Sequence, residues 1–222
     1  MPPTPTTPPP AVPRPSGRKI LLILLGVLRV AVALAVALPN LAFPPPPPEL
    51  DDRGVVPSVA LVDQSGKPMS TGDMRGQITI VGFIFTRCDS VCPTVGMRMS
   101  RMQDLTADVG DRVKLLAISV DPAYDTPDKL KAWGDKFHAE PARWRLATGD
   151  PAAVRSLVMQ TFTMSMTPNG TTPSGAPDIV HTQHFILVDG DLRIRGSYDS
   201  SDDARFDAIG RHARWLANRL PR

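Results

Sequence analysis

The 222 residues contain only two cysteines, four apart, in Thr86-Arg87-Cys88-Asp89-Ser90-Val91-Cys92-Pro93. Ile78–Phe85 just before them is a continuous apolar run, the pattern of a strand buried on both faces. Beyond Pro93, Val95, Met99, Met102, Leu105 and Val109 recur at helical spacing. Both thiols therefore fall where a buried strand turns into a helix. Backbone N–H groups at a helix N-terminus favour thiolate over thiol. If the first turn includes Cys88, the i,i+4 spacing puts both sulfurs on one helix face. Pro93 lacks an N–H, which a first turn tolerates and a helix interior does not, so it sets the helix start near Cys92. Two convergent soft thiolates suit a soft metal, Cu(I) above all, or close reversibly into a disulfide. A purely structural disulfide over so short a loop would constrain little chain entropy. Zinc wants four N or S ligands and finds only two cysteines.

The elements that must position this pair follow from the rest of the pattern. Val59–Val62 reads as a strand and Asp63–Lys67 as a turn. Val113–Val120 is a second buried strand. Thr126-Pro127-Asp128 opens a helix to about Phe137, with Thr126 as cap and Pro127 in the first turn. Trp144–Ala147 reads as a short strand and Pro151–Phe162 as a helix capped by Asp150. Residues 163–178, rich in Thr, Pro, Gly and Ser, read as a long loop. Phe185–Val188 and Leu192–Gly196 form a hairpin around Asp189-Gly190. The last helix carries Phe206, Ile209, Ala213, Leu216 and Leu220 on one face. Strand–helix alternation closed by a hairpin and a helix predicts an α/β domain.

Composition divides the chain. Fourteen of the 25 prolines lie in residues 1–48. Residues 1–50 hold four bases (Arg14, Arg18, Lys19, Arg29) and one acid, Glu49. Taking these from the totals of 25 and 22 leaves 21 bases and 21 acids in residues 51–222. The net charge of +3 thus belongs to the N-terminal segment, which argues against a nucleic-acid-binding body. Residues 1–19 form a Pro-rich basic tail, read as extended or disordered. Residues 20–38 are apolar except Gly26 and Arg29, and as a helix span about 28 Å, enough to cross a bilayer. The bases before that run keep the N-terminus in the cytoplasm and send the remainder outside. Ala35-Val36-Ala37 has the small-x-small form of a cleavage site, so a signal peptide is the competing reading. The run is long for one, which favours an uncleaved anchor. Residues 39–50 are a Pro-rich linker in which Pro44–Pro48 predict a polyproline II spacer. Residues 51–222 form the folded domain, with aromatics so scarce (5%) that its core must rest on aliphatics and Met.

Three ordered segments resemble one known family. Phe85-Thr86-Arg87-Cys88 through Cys92-Pro93-Thr94 is similar to the Cys-x-x-x-Cys-Pro signature of the Sco (SCO1/SenC) family. Val120-Asp121-Pro122-Ala123-Tyr124-Asp125-Thr126-Pro127 resembles its Val-Asp-Pro-x-x-Asp-Thr-Pro segment. His181-Thr182-Gln183-His184 leading into Phe185–Asp189 resembles its third segment. The resemblance covers about residues 50–220 and implies a thioredoxin-like domain behind an N-terminal transmembrane helix. It implies copper, Cu(I) with Cu(II) as a second state, bound by Cys88, Cys92 and His181. It further implies a metallochaperone role in assembling the CuA centre of cytochrome c oxidase, with subunit II or another copper-accepting protein as partner. The expected location is a bacterial-type inner membrane, single-pass, with the C-terminal domain on the periplasmic side. Two departures bear on metal affinity and potential: Val180 stands where an acid often precedes the ligand His, and Asp89 where Pro is common.

Among the remaining donors, His184 is expected at the surface and His138 at a helix end. His212 is expected off the apolar stripe and exposed. Met99 and Met102 fit the buried helix stripe, and Met97, Met164 and Met166 complete two clusters best read as gap-filling side chains. Asp121 and Asp125 are expected to organise a turn and cap. A reading of a different class is a thiol-disulfide oxidoreductase, in which Cys88 and Cys92 are the redox-active pair. The histidine discriminates: a metal site needs His181 and a dithiol exchanger does not.

Overall fold

The structure, a computed structural model, describes residues 22, 24–33, 48–87, 92–164, 167–171, 177–180 and 183–221, with Cys92, 167–171 and 177–180 described by backbone alone. It divides into two units, Met1–Pro47 and Pro48–Arg222. In the first, residues 24–33 are helical and exposed. Among the described residues no helix is long and apolar enough to cross a membrane. The remainder of the expected anchor, apart from residue 22, lies outside the described residues.

The second unit is built on a seven-stranded mixed sheet. Its strands are β1 (Ala60–Asp63), β2 (Pro68–Ser70), β3 (Ile78–Ile84), β4 (Val113–Ser119), β5 (Trp144–Thr148), β8 (His184–Val188) and β9 (Ile194–Asp199), in the order β2-β1-β5-β4-β3-β8-β9. β3, β4 and β5 are parallel neighbours, as their helical crossovers require, while β8 returns antiparallel beside β3. Every residue of β3 is buried, in keeping with its unbroken apolar run. The helices are α1 (Cys92–Leu105), α2 (Pro127–Lys136), α3 (Pro151–Ser156) and α4 (Asp203–Ala217). α1 begins at Cys92 with Pro93 in its first turn, as the missing N–H demanded. Met99 and Met102 are fully buried, whereas Met97 is 59% exposed. Val109 lies beyond the helix, in a 3-10 segment over Ala107–Arg112.

The structure departs from the sequence reading in several places. Residues 163–178 are not one loop: β6 (Thr167–Thr171) and β7 (Pro177–Val180) pair antiparallel as a separate two-stranded ribbon. Pairing only with each other, they need no apolar alternation, which is the signal a strand reading depends on. β2 is too short, and too compromised by Pro68, to stand out in the sequence. The helix expected over 151–162 ends at Ser156 and continues as a π turn over Leu157–Thr161. That widening lets Leu157, Val158 and Phe162 all stay in the core. Thr126 has the extended conformation of a cap, but its side chain makes no capping hydrogen bond. Asp150 does cap as expected, accepting from the Ala153 N–H.

His212 is a further departure. It is half-buried rather than exposed, with Nδ1 2.7 Å from Tyr198 Oη on β9. Burial pushes the Tyr198 phenol up to about 12, so the hydroxyl stays protonated, and the histidine tautomer sets which of the two groups donates. Burial, with a smaller contribution from Arg211, pushes His212 below its usual 6.5. The folded state thus holds a neutral imidazole that the unfolded chain protonates. Stability is present above the usual histidine pKa and is lost as pH falls through it towards the lowered value. Thermal unfolding of the wild type should therefore lose more stability between pH 7.5 and 5.5 than that of His212→Gln. Equal losses would remove His212 as the cause.

The N-terminal approach to the domain is paired to the sheet edge. The N–H groups of Asp51, Arg53 and Val56 donate to the carbonyls of Arg195, Ile194 and Leu192. The Arg193 Nη1 reaches both carboxylate oxygens of Asp52, at 2.9 and 2.7 Å. The first residues of the domain, 51–56, thus cover part of the otherwise open edge of β9.

Candidate metal centre

Three element ends meet at one edge of the sheet. β3 pairs with β8 in the register Thr79↔Val188, Ile80↔Leu187, Val81↔Ile186, so the C-terminal end of β3 lies beside the N-terminal end of β8. The chain leaves β3 at Ile84, is described through Arg87, and is described again from Cys92, the first residue of α1. On the other side, β7 ends at Val180 and β8 begins at His184. Cys88 and His181 themselves lie outside the described residues, and Cys92 is placed by its backbone. In sequence, Cys88 falls four residues after the end of β3, Cys92 begins α1, and His181 falls three residues before β8.

The described part of the edge is organised by β4 and the turn after it. Asp125, only 1% exposed, accepts from the Thr86 N–H (3.2 and 3.1 Å to its two oxygens) and the Thr86 hydroxyl (2.6 Å), while Ser119 Oγ–H donates to Oδ2 at 2.6 Å. Burial pushes the Asp125 carboxyl above its usual range, outweighing the hydrogen bonds from Ser119 and Thr86 that pull it down. Asp121 forms an ion pair with Arg87, Nε to Oδ2 2.7 Å. The Arg87 guanidinium also lies 4.3 Å from the centroid of the Tyr124 ring, and Lys129 Nζ lies 3.2 Å from it. The two acids do organise a turn, since the N–H groups of Tyr124 and Asp125 donate to the Asp121 carbonyl. Their larger task is to hold Thr86 and Arg87, the residues that lead into Cys88. Sequence reasoning singled out the acids but missed Thr86, Arg87 and Ser119. The fixed spacing of the Asp-Pro-x-x-Asp-Thr-Pro segment was the available signal, without the identity of its partners.

The other histidines fall elsewhere. His138 is exposed, with φ at +56°, just after α2. His184 opens β8 opposite Asp199 and is half-buried rather than at the surface, with a buried Nδ1 that has no hydrogen-bond partner among the described residues. Met164 packs against the core, and Met166 lies outside the described residues. Among the described residues, no group of three or more His, Cys, Asp or Glu could hold a metal ion.

Comparison with known proteins places this arrangement. The family described as SCO1/SenC matches residues 49–216. A "Putative copper-binding protein" of Stutzerimonas stutzeri is 36% identical over 117 residues, 49% of this chain and 57% of that protein. The chain therefore spans a little over half the length of that relative. The structure of Bradyrhizobium japonicum ScoI with copper bound is 25% identical, with a TM-score of 0.61 over 72% of this chain and 99% of that one. BsSco, described as a member of the Sco family of cytochrome c oxidase assembly proteins, shares the fold at 22% identity, with a TM-score of 0.65 over 78% and 98% of the two chains. The mixed sheet with its flanking helices is the thioredoxin-like Sco fold. With three-quarters of its length matched and the strand, helix and turn that frame the cysteine segment in place, the chain belongs to the SCO1/SenC family.

Proposed function

We propose that this chain is a membrane-anchored copper carrier of the Sco type, which holds copper through Cys88, Cys92 and His181. In this reading it passes the metal to the CuA centre of cytochrome c oxidase, with subunit II as acceptor. The observation that carries the reading is that the end of β3, which leads through Arg87 to Cys88, lies beside the start of β8, three residues after His181, while α1 begins at Cys92. The donor set fits the metal: two soft thiolates and an imidazole suit Cu(I), and three protein ligands leave an edge open for exchange with an acceptor. The membership of the chain in a family with copper-bound members supports the same reading. The apolar run over 20–38 and the bases before it support a single-pass anchor with the domain on the outer side.

The test is a Cu(I) titration of the full chain in detergent against a competing chelator. The wild type should take up one copper. Cys88→Ser, Cys92→Ser and His181→Ala should each lose at least about tenfold in affinity, roughly 1.4 kcal/mol. If His181→Ala keeps wild-type affinity while exchange with a disulfide substrate needs both cysteines, the carrier reading gives way to a thiol-disulfide oxidoreductase.

A further inference from the structure

α1 is fixed to the domain at several points, and the contact at the start of its second turn is unusually close. Gly96, four residues after Cys92, lies under the ring of Phe137. A Cβ on residue 96 would stand 2.6 Å from both Cε2 and Cζ of that ring and 2.7 Å from Cδ2. Carbon atoms in good contact lie about 3.5–4.0 Å apart, so nothing larger than hydrogen fits unless the ring or the helix shifts. The ring has little room to retreat. Buried Trp133 meets it at a centroid distance of 4.5 Å. The Phe137 N–H donates to the Gly134 carbonyl at 3.0 Å, and the next residues are tied to α1 itself. There the buried Gln103 donates from Nε2 to the His138 carbonyl (3.2 Å) and accepts the Glu140 N–H on Oε1 (3.0 Å). On the sheet side, a Cβ on Gly82 of β3 would lie 2.9 Å from Met99 Sδ, so the depth of the helix is set there as well.

The segment from Ser119 to Phe137 therefore grips the chain on both sides of the cysteine pair. Upstream it holds Thr86 and Arg87 through Asp125 and Asp121. Downstream it holds the start of the second turn of α1 through Phe137 on Gly96. We infer that Gly96 and Phe137 are a positioning pair that sets where the start of α1, at Cys92, stands relative to Thr86 and Arg87, the residues that lead into Cys88. The inference rests on the copper reading for the metal, but the spacing of the thiols governs any chemistry they share. Neither residue need touch the metal. A methyl group at residue 96 pushes the start of α1 away from α2, while the upstream segment stays tied to Asp125 and Asp121. Metal–ligand distances tolerate only about 0.2 Å, so this displacement is read directly as lost affinity.

The experiment uses the full chain in detergent and compares Gly96→Ala, Phe137→Leu and the double variant with wild type. Gly96→Ala should lower Cu(I) affinity roughly tenfold, the size typical of losing a support behind a metal ligand. The double variant, in which the smaller side chain makes room for the methyl, should recover to within about threefold. Melting temperature is followed in parallel, because a merely structural contact would move it and leave affinity alone. A Gly96→Ala protein with affinity within about threefold of wild type would overturn the inference. So would a double variant whose melting temperature recovers while its affinity does not. If Gly96→Ala fails to fold, Phe137→Leu alone carries the test: loss of the ring frees the start of α1, and unchanged affinity would overturn the proposal. The dithiol–disulfide equilibrium of Cys88 and Cys92 against dithiothreitol, measured without copper, gives a second readout. It should shift in Gly96→Ala and return in the double variant. A wild type that binds no copper would defeat the copper reading while leaving this readout, whose constancy would overturn the positioning pair on its own.

Discussion

Asp125→Ala should destabilise the domain by about 3 kcal/mol, because three donors lose their acceptor at once. Those donors are the Thr86 N–H, the Thr86 hydroxyl and the Ser119 hydroxyl, the last on a fully buried residue. At the scale of a domain this size, the loss is roughly 10 °C in melting temperature. Asp125→Asn keeps one acceptor oxygen and sheds a buried charge, so it should cost only about 1 kcal/mol. The two variants also differ in pH dependence. Burial, more than any other influence, raises the Asp125 carboxyl, so the folded state holds its proton more tightly than the unfolded chain. Stability from this group is fully present below the usual value of 3.8 and falls as pH rises through the raised folded value. The wild type should therefore gain on Asp125→Asn as the solution is acidified from pH 7 to 4.5. Chemical denaturation at the two pH values measures this, and a gap that stays constant would mean that Asp125 carries no such strain. In Asp125→Ala the segment before Cys88 also loses its main tether, so copper affinity should drop together with stability.

Phe206→Ala should cost about 4 kcal/mol, in the range for truncating a buried aromatic side chain. Phe206 is fully buried on α4 and meets Phe185 of β8 at a centroid distance of 6.3 Å. Two arginines of α1, Arg98 and Arg101, place their guanidinium carbons 4.8 and 5.3 Å from the same ring. Arg98 also pairs with Asp203 in the first turn of α4, at 2.6 Å. One ring therefore joins the helix that begins with Cys92 to the strand that follows His181. Truncation should lower thermal stability and copper affinity together, whereas Phe206→Leu, which refills most of the space, should restore much of both. If Phe206→Ala loses stability but binds copper as tightly as wild type, the ring supports the core without coupling the two elements.

Much of this was legible in the residues themselves. The buried strands announced themselves as unbroken apolar runs, α1 began where Pro93 allowed, and Asp150 capped α3. The readings that failed did so where local signal is weakest. The β6–β7 ribbon shows no apolar alternation in its sequence. β2 is three residues long. His212 was judged by its place on the helix wheel, and its partner Tyr198 comes from a different element.

The sequence by itself determined the candidate donors and their order: two thiols at a strand-to-helix junction, an imidazole before a later strand that the family resemblance singles out, and the acids of the intervening turn. These are local properties, carried by residue type, spacing and backbone chemistry. Only the tertiary structure decided which strand lies beside which, and so which element ends share an edge. It alone joined Asp125 to Thr86 across 39 positions, and Phe137 to a glycine near the start of α1. Such contacts arise when faces of separate elements are packed together. Hydrophobic periodicity records that a face is buried, but not what buries it.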